Sequence, residues 1–490
     1  MTAQDTAASP AAPSRARHPL WLALCLLVIL APYLYYAWFV WRHLVPIEYA
    51  DSITYLWRDA FNVHYLTNRS LTQRVLFTLL GNHPVRIMDA QLLVFPMLGV
   101  ALFLLFGRPG RPLLDLVLAL GIAFLLSSYT FNLSAAAIAS EPLFLGLLLL
   151  FPCVLFLERG RLGLAALILT GFAFIFSRNL APYALLVLLA VRLVGVRSWP
   201  DRRRAVVYAG LALTALASLA ITVRSDTSLT VNLVNNVYQR ILTDPEATAR
   251  FQSRDGMPEG PYVEACRDRY VLDWCLGRPI LFVNQRTRNY DLMEDEQGFV
   301  RWLKSRGRRA YTAYLLWDDP LRTHETLRRD YAELMSGDAI RFVIRYLGKE
   351  RTSNVPNNRV TIEGTGPGRD VGFLGFDSLA LLRDALLPLG LARLHSMLLF
   401  VALGLVLSRL LGAPSQLPLA TGMLGAGLVC FFLSDFGDAV EIDRHVFPSL
   451  VLLVVGTLIF WLSLLAVLIR ELRRALGRRA RDAAERPTAP

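Results

Sequence analysis

The sequence predicts an all-α polytopic membrane protein, with about ten transmembrane helices and a mostly helical soluble insertion on the outer side. Three observations carry that expectation. The 490 residues are 54% hydrophobic and their mean hydropathy is +0.42, above the soluble average. Only 18% of residues are charged, and they bunch between long apolar runs. The arginines that flank those runs fall on alternate turns of the chain, as repeated bilayer crossing demands.

Residues 1–19, rich in Ala, Pro, Ser and Thr, read as a disordered cytoplasmic tail. The first apolar run is too long for a signal peptide and lacks a small-residue cleavage site, so it is expected to be retained. Seven spans are expected near 20–41, 86–107, 112–128, 136–157, 162–177, 181–196 and 205–223, with a first outer loop at 42–85. Three more follow near 393–411, 417–434 and 446–469, before a basic cytoplasmic tail at 470–490. Arg15, Arg17, Arg108, Arg111, Arg159, Arg161, Arg197, Arg202 to Arg204, Arg409 and the tail from Arg470 then share one side. The positive-inside rule makes that side, and both termini, cytoplasmic in a bacterial inner membrane. The same rule accounts for the formal net charge of +12, so nucleic acid is not an expected partner. Lys304 and Lys349 are the only lysines, which reflects base composition and not function.

Residues 224–392 are expected to form an extracytoplasmic soluble domain. Helical patterns recur at Val263 to Trp274, Phe299 to Leu316 and His324 to Met335, and Asp244-Pro245-Glu246 is a helix start. Arg359 to Ile362 is the one convincing strand signal. Cys25, Cys153 and Cys430 fall in spans and read as small packing residues. Cys266 and Cys275 lie in the outer domain, where they form a disulfide or remain two thiols. No histidine accompanies them at zinc-site spacing, so no metal site is expected there.

Candidate site residues gather at the outer boundary. After the first span, Ile53, Leu56, Trp57, Ala60 and Phe61 make an apolar stripe, with Glu48, Asp51, Tyr55, Arg58 and Asn62 opposite. Such a helix lies flat on a bilayer, and its carboxylates either serve solvation alone or face a membrane-borne substrate. Asp51 is placed to deprotonate an acceptor hydroxyl, and Arg58 to neutralise a phosphate leaving group. Ser140-Glu141-Pro142 opens the fourth span, where helix capping already explains Glu141. Arg178, in the turn Ser177-Arg178-Asn179, is either an interfacial anchor or a phosphate contact. The segment Asp435 to His445 reads as an outward loop holding Glu441, Arg444 and His445, with Pro448 in the first turn of the last span. Its plain reading is a solvated loop with Arg444 snorkelling; its functional reading is contact with a lipid phosphate. Asp318-Asp319 and Glu294-Asp295-Glu296 read as solvated acidic faces, and Gly364 to Gly368 as a flexible loop.

These elements resemble the GT-C superfamily of integral membrane glycosyltransferases. The resemblance rests on Asp51-Ser52 with Tyr55, Ser140 to Phe144, and Asp443-Arg444-His445 to Pro448, within a plan of about ten helices and an outer insertion. It covers most of the membrane part; the insertion matches no domain that can be named. It implies a sugar transfer from a polyprenyl-phosphate-linked donor to a glycan, lipid or protein acceptor at the outer face, in cell-envelope glycan synthesis. It places the base at Asp51 and the lipid-phosphate contact at Arg444, with His445 where the family often has an aromatic residue. No cofactor is required, because an arginine does the electrostatic work of a metal; a divalent Mg or Mn ion is compatible with such a site. Two rival readings are a transporter or lipid flippase, and a non-catalytic envelope assembly protein. A transporter would more often show charges in mid-span or repeated halves.

Overall fold

A computed structural model describes residues 19–43, 71–107, 111–128, 131, 134–135, 141–157, 160–196, 200–224, 233–234, 236–259, 281–284, 289–292, 298–336, 377–411, 416–437 and 442–484. The described chain is helical, apart from one antiparallel hairpin. Its bundle helices are α1 (Pro19–His43), α2 (Leu71–Leu79), α3 (Pro84–Leu92), α4 (Val94–Phe106), α5 (Pro112–Leu126), α6 (Glu141–Leu157), α7 (Gly160–Ile175), α8 (Ala181–Gly195) and α9 (Arg202–Arg224). The insertion follows with α10 (Pro245–Asp255), β1 (Leu281–Asn284), β2 (Asn289–Leu292), a helical run from Phe299 to Asp318 that alternates α and π turns, and α11 (Pro320–Ser336). The bundle resumes with α12 (Ser378–Leu386), α13 (Leu394–Leu411), α14 (Gln416–Gly437) and α15 (Ile442–Ala484).

Among the described residues, four helices are long and apolar enough to cross a membrane: Pro84–Phe106, Arg202–Thr222, Gln416–Gly437 and His445–Gly477. A fifth arises if Ser378–Leu391 and Leu394–Leu410, bent by 76°, count as one span. Every expected apolar run coincides with a described helix, but four of these helices, Pro112–Leu126, Glu141–Leu157, Gly160–Ile175 and Ala181–Gly195, are shorter apolar segments. These fall below the roughly 20 residues that a straight crossing needs. Several apolar helices of spanning length make this a multi-pass membrane protein.

Packing follows from which helix faces are apolar all round. One cluster of buried side chains unites the bundle, with Phe95, Phe144, Phe151, Phe174, Phe431 and Phe447 among its largest members. Cys25, Cys153 and Cys430 are buried in that cluster, as small hydrophobic residues would be. Leucines such as Leu120, Leu213, Leu399 and Leu465 remain more than half exposed on helix outsides. Acyl chains cover such surfaces at no hydrophobic cost, whereas water would not. The long pair α14 and α15 approaches closely at Gly427, where an added Cβ would stand 2.9 Å from Leu453 Cγ. Small residues permit such approaches between membrane helices.

The insertion has its own smaller core, built from Val237, Ile241, Phe251, Phe299, Trp302, Tyr311 and neighbours. The expected helix start at Asp244 is realised. The Asp244 carboxylate accepts from the backbone N–H groups of Glu246 and Ala247 at 3.0 and 3.4 Å, with Pro245 in the first turn. The expected patterns Phe299 to Leu316 and His324 to Met335 are helical as well. The hairpin Leu281–Asn284 with Asn289–Leu292 was not legible, because each strand is only four residues long. The pattern Val263 to Trp274, the strand signal at Arg359 to Ile362, the acidic run Glu294 to Glu296 and the glycine loop Gly364 to Gly368 lie outside the described residues.

Three borders differ from expectation. Residues 378–391, expected at the end of the soluble insertion, pack into the bundle core through Leu379, Leu386 and Leu391, as Tyr331 and Met335 of α11 do. Helix α14 runs on to Gly437, which turns Asp435 from a loop residue into a buried helical one. Helix α15 begins at Ile442, so Pro448 stands inside the helix and not in its first turn. The proline cannot donate to the Arg444 carbonyl. At the neighbouring carbonyl, that of His445, the Ser434 hydroxyl donates at 3.0 Å and ties α15 to α14.

Candidate functional site

Helix α6 starts at Glu141 and carries Phe144 three residues on, so both side chains share one face. Helix α7 ends in a tight turn: the Ser177 hydroxyl and N–H both donate to the Phe174 carbonyl, at 2.7 and 3.0 Å. The Ala181 N–H donates to the Arg178 carbonyl at 3.0 Å and starts α8, where Pro182 sits in the first turn. That turn aims the Arg178 guanidinium across the Phe144 ring, 5.6 Å from its centroid. Its Nη2 lies 3.3 Å from Glu141 Oε1 and also donates to Nδ1 of His445 on α15. Nδ1 can accept only if unprotonated, which leaves the neutral ring its donor at Nε2. Below, Phe144 stacks on Phe174 at 6.0 Å, and Phe174 on Phe151 at 5.2 Å, so the polar group rests on an aromatic floor.

The site therefore joins three helix ends that are far apart in sequence. The side chains of Arg178 and Glu141 are only 11% and 5% exposed. Arg178 Nη1 is buried and has no hydrogen-bond partner among the described residues. Burying such a donor is costly unless something accepts from it. The arginine is thus neither a snorkelling anchor nor fully satisfied. Glu141 does more than cap its helix, because its carboxylate holds the guanidinium in place. Helix α2 closes over the same turn: Thr72 N–H donates to the Phe176 carbonyl at 3.1 Å, and its hydroxyl to the Ala173 carbonyl at 2.9 Å. Gln73 and Arg74 follow on α2 and are buried.

A second cluster stands beside the first, across Ser434. Arg240, on the π-helical turn Val237–Ile241 of the insertion, donates Nη2 to the carbonyl and to Oδ1 of Asp435, at 2.9 and 3.0 Å. Its Nη1 reaches Asp330 at 3.4 Å, and the guanidinium lies 4.5 Å over the Phe436 ring. Asp435 is fully buried, and its Oδ2 has no partner among the described residues. The Tyr311 hydroxyl donates to Asn236 Oδ1 at 3.3 Å; burial pushes this phenol well above its ordinary range, partly offset by Arg240. A cavity of about 570 Å³ opens here between insertion and bundle, lined by Arg240, Arg322, Arg329, Tyr311, Tyr314 and Phe436 among others. Its walls offer both donors and acceptors, since Arg322 is paired with Asp244.

Of the expected site residues, Glu141, Arg178 and His445 meet. Arg444 falls on the first turn of α15, one residue before His445, with its side chain outside the described part. Glu48, Asp51, Tyr55, Arg58, Glu441, Cys266 and Cys275 lie outside the described residues. Asp318 receives Arg250 and Arg254 at 3.0 and 2.8 Å, a structural role and not a metal site. At the Glu141 and His445 pair the guanidinium of Arg178 already occupies the position a metal cation would need, so this group does not fit one. The Arg240 to Asp435 pair was missed. Its sequence signal is an acid in the last turn of an otherwise apolar helix, which cannot be buried without a cation from elsewhere.

Comparison of the chain with protein-family models, curated proteins and solved structures finds no match.

Proposed function

We propose that the chain is a membrane glycosyltransferase of the GT-C plan, moving a sugar from a polyprenyl-phosphate donor to an acceptor hydroxyl at the outer face of the plasma membrane. The observation that carries this reading is Arg178, a buried guanidinium locked by Glu141 and Phe144, whose Nη1 has no acceptor among the described residues. A phosphate oxygen is the natural partner for such a donor. The arginine pattern that predicts cytoplasmic termini puts this group at the outer boundary in the proposed topology, at the height of a donor's lipid phosphate. Arg444, one residue before His445 in sequence, is the second cation of the proposed site.

Thr72, on the helix that follows the segment of Asp51 in sequence, donates its N–H to Phe176, two residues before Arg178. In the proposed step Asp51 removes the acceptor proton, and the acceptor oxygen attacks the anomeric carbon. The carbon–oxygen bond to phosphate breaks, and the released polyprenyl phosphate takes the negative charge onto Arg178 and Arg444. One displacement inverts the anomeric centre. The cavity beside Arg240 is where an acceptor glycan reaches this mouth, because paired arginines and carboxylates suit both the donor and the acceptor side of a hydroxyl. Both buried ion pairs stand at the domain end of the bundle, which favours chemistry at the surface over transport through mid-span.

The test is transfer of labelled sugar from a panel of polyprenyl-phosphate sugars by the purified protein in nanodiscs. Asp51→Asn is expected to lower turnover by about 10²-fold or more. Arg178→Met is expected to abolish transfer, with partial recovery in Arg178→Lys, which keeps the charge. No transfer from any donor, or full activity in Asp51→Asn, refutes the reading.

A further inference from the structure

Helix α11 carries an apolar stripe longer than the protein surface that covers it. Leu321, His324, Leu327, Tyr331 and Met335 follow at intervals of three and four, one helix face. At the C-terminal end Tyr331 and Met335 are fully buried; the Tyr331 ring meets Phe431 at 5.2 Å and its hydroxyl donates to the Leu391 carbonyl at 2.9 Å. At the other end Leu321 is 82% exposed, and the turn before it presents Trp317 at 78% and Leu316 at 47%. These three make an apolar tip on an otherwise charged segment.

The position of the tip says what covers it. His324 stacks edge-on against His395, with ring centroids 5.0 Å apart, at the start of α13. One turn further along α13, Leu398 and Leu399 are 49% and 61% exposed, facing lipid. Leu321 lies three residues before His324, about 5 Å along the axis, and Trp317 lies in the turn before it, beyond the non-helical Asp319. The headgroup layer on each side of a bilayer is of similar thickness, roughly 5–7 Å. The tip thus hangs outside the bundle at the height where the bent span enters the hydrocarbon. Tryptophan, with an apolar body and an N–H donor, is the side chain enriched at that depth.

We propose that Leu316, Trp317 and Leu321 form an interfacial anchor that inserts into the outer headgroup layer and fixes the insertion against the membrane. The anchor holds the cavity floor, because the same helix contributes Arg322 and Arg329 to its wall. It does not depend on the proposed transfer reaction.

The test uses full-length protein in nanodiscs of phosphatidylcholine and phosphatidylglycerol. Trp317→Cys, Leu321→Cys and, on the opposite face, Glu333→Cys receive nitroxide labels, with Cys266 and Cys275 replaced by Ser. Labels at 317 and 321 are expected to collide mainly with oxygen, which partitions into lipid, and the label at 333 mainly with an aqueous nickel chelate. Equal chelate access at all three positions overturns the anchor. So does spin–spin broadening at 321 that disappears when the protein is diluted in lipid, which would mark a second copy as the occupant. Independently, Trp317→Phe should lower the part of the tryptophan emission quenched by headgroup-proximal bromolipids; an unchanged quenchable fraction also overturns it.

Discussion

Replacing Arg240 by Met should undock the insertion from the bundle. Met keeps much of the length and apolar stem but removes the charge, leaving Asp435 buried at 0% exposure without the guanidinium that contacts it, and only the more distant Arg329 acting on it. Removing one partner of a buried pair costs about 3–5 kcal/mol. Two other losses are smaller. Asp330 is 17% exposed and retains Arg329 at 3.3 Å, so it is little affected. The contact with Phe436 at 4.5 Å is worth about 1–2 kcal/mol when partly desolvated, and the Met side chain keeps part of it as packing. A cost of about 3–5 kcal/mol raises the population of the opened insertion by roughly a hundred- to a few-thousand-fold. The assay is native-state proteolysis at low protease, where cleavage within 245–336 tracks that population. Adding Asp435→Leu removes the stranded carboxylate and should restore most of the resistance, a coupling that independent sites would not show. A change of less than about threefold in Arg240→Met, or no recovery in the double variant, refutes the assignment of this pair as the docking bond.

Gly427→Val should destabilise the bundle by about 1–3 kcal/mol, because the new Cβ would meet Leu453 at 2.9 Å in a packed helix pair. A lower midpoint in thermal unfolding within nanodiscs checks it, and Gly437→Ala, with nothing within 4 Å of the added carbon, is the matched control. Asp244→Ala removes the cap of α10 and the partner of Arg322, at a cost of about 1 kcal/mol for the cap. Hydrogen exchange of the Glu246 and Ala247 amides should accelerate while the bundle amides do not change.

Elements with strong periodic signals were legible in the sequence, and pairings between distant segments were not. Apolar runs decide helix positions because each crossing must satisfy its own backbone hydrogen bonds, so α8 with Pro182 in its first turn and α13 up to Leu411 stand where the pattern places them. The Asp244 start was equally readable, since a cap is a local arrangement. Short strands such as Leu281–Asn284 carry too few residues to show alternation, and their pairing depends on the partner strand.

The same division holds for the candidate site. By itself the sequence predicts one boundary for Glu141, Arg178, Arg444 and His445, because apolar length and arginine alternation assign each loop an expected side. Which of these residues meet was decided by tertiary packing: α6, the α7–α8 turn and α15 converge on Arg178, and α14 fixes His445 through Ser434. Likewise the need of Asp435 for a cation follows from its apolar neighbours, but its partner, 195 positions away, exists only once the insertion folds back over the bundle. Hydropathy acts along the chain and is written in composition; an ion pair acts through space and is settled only by the fold.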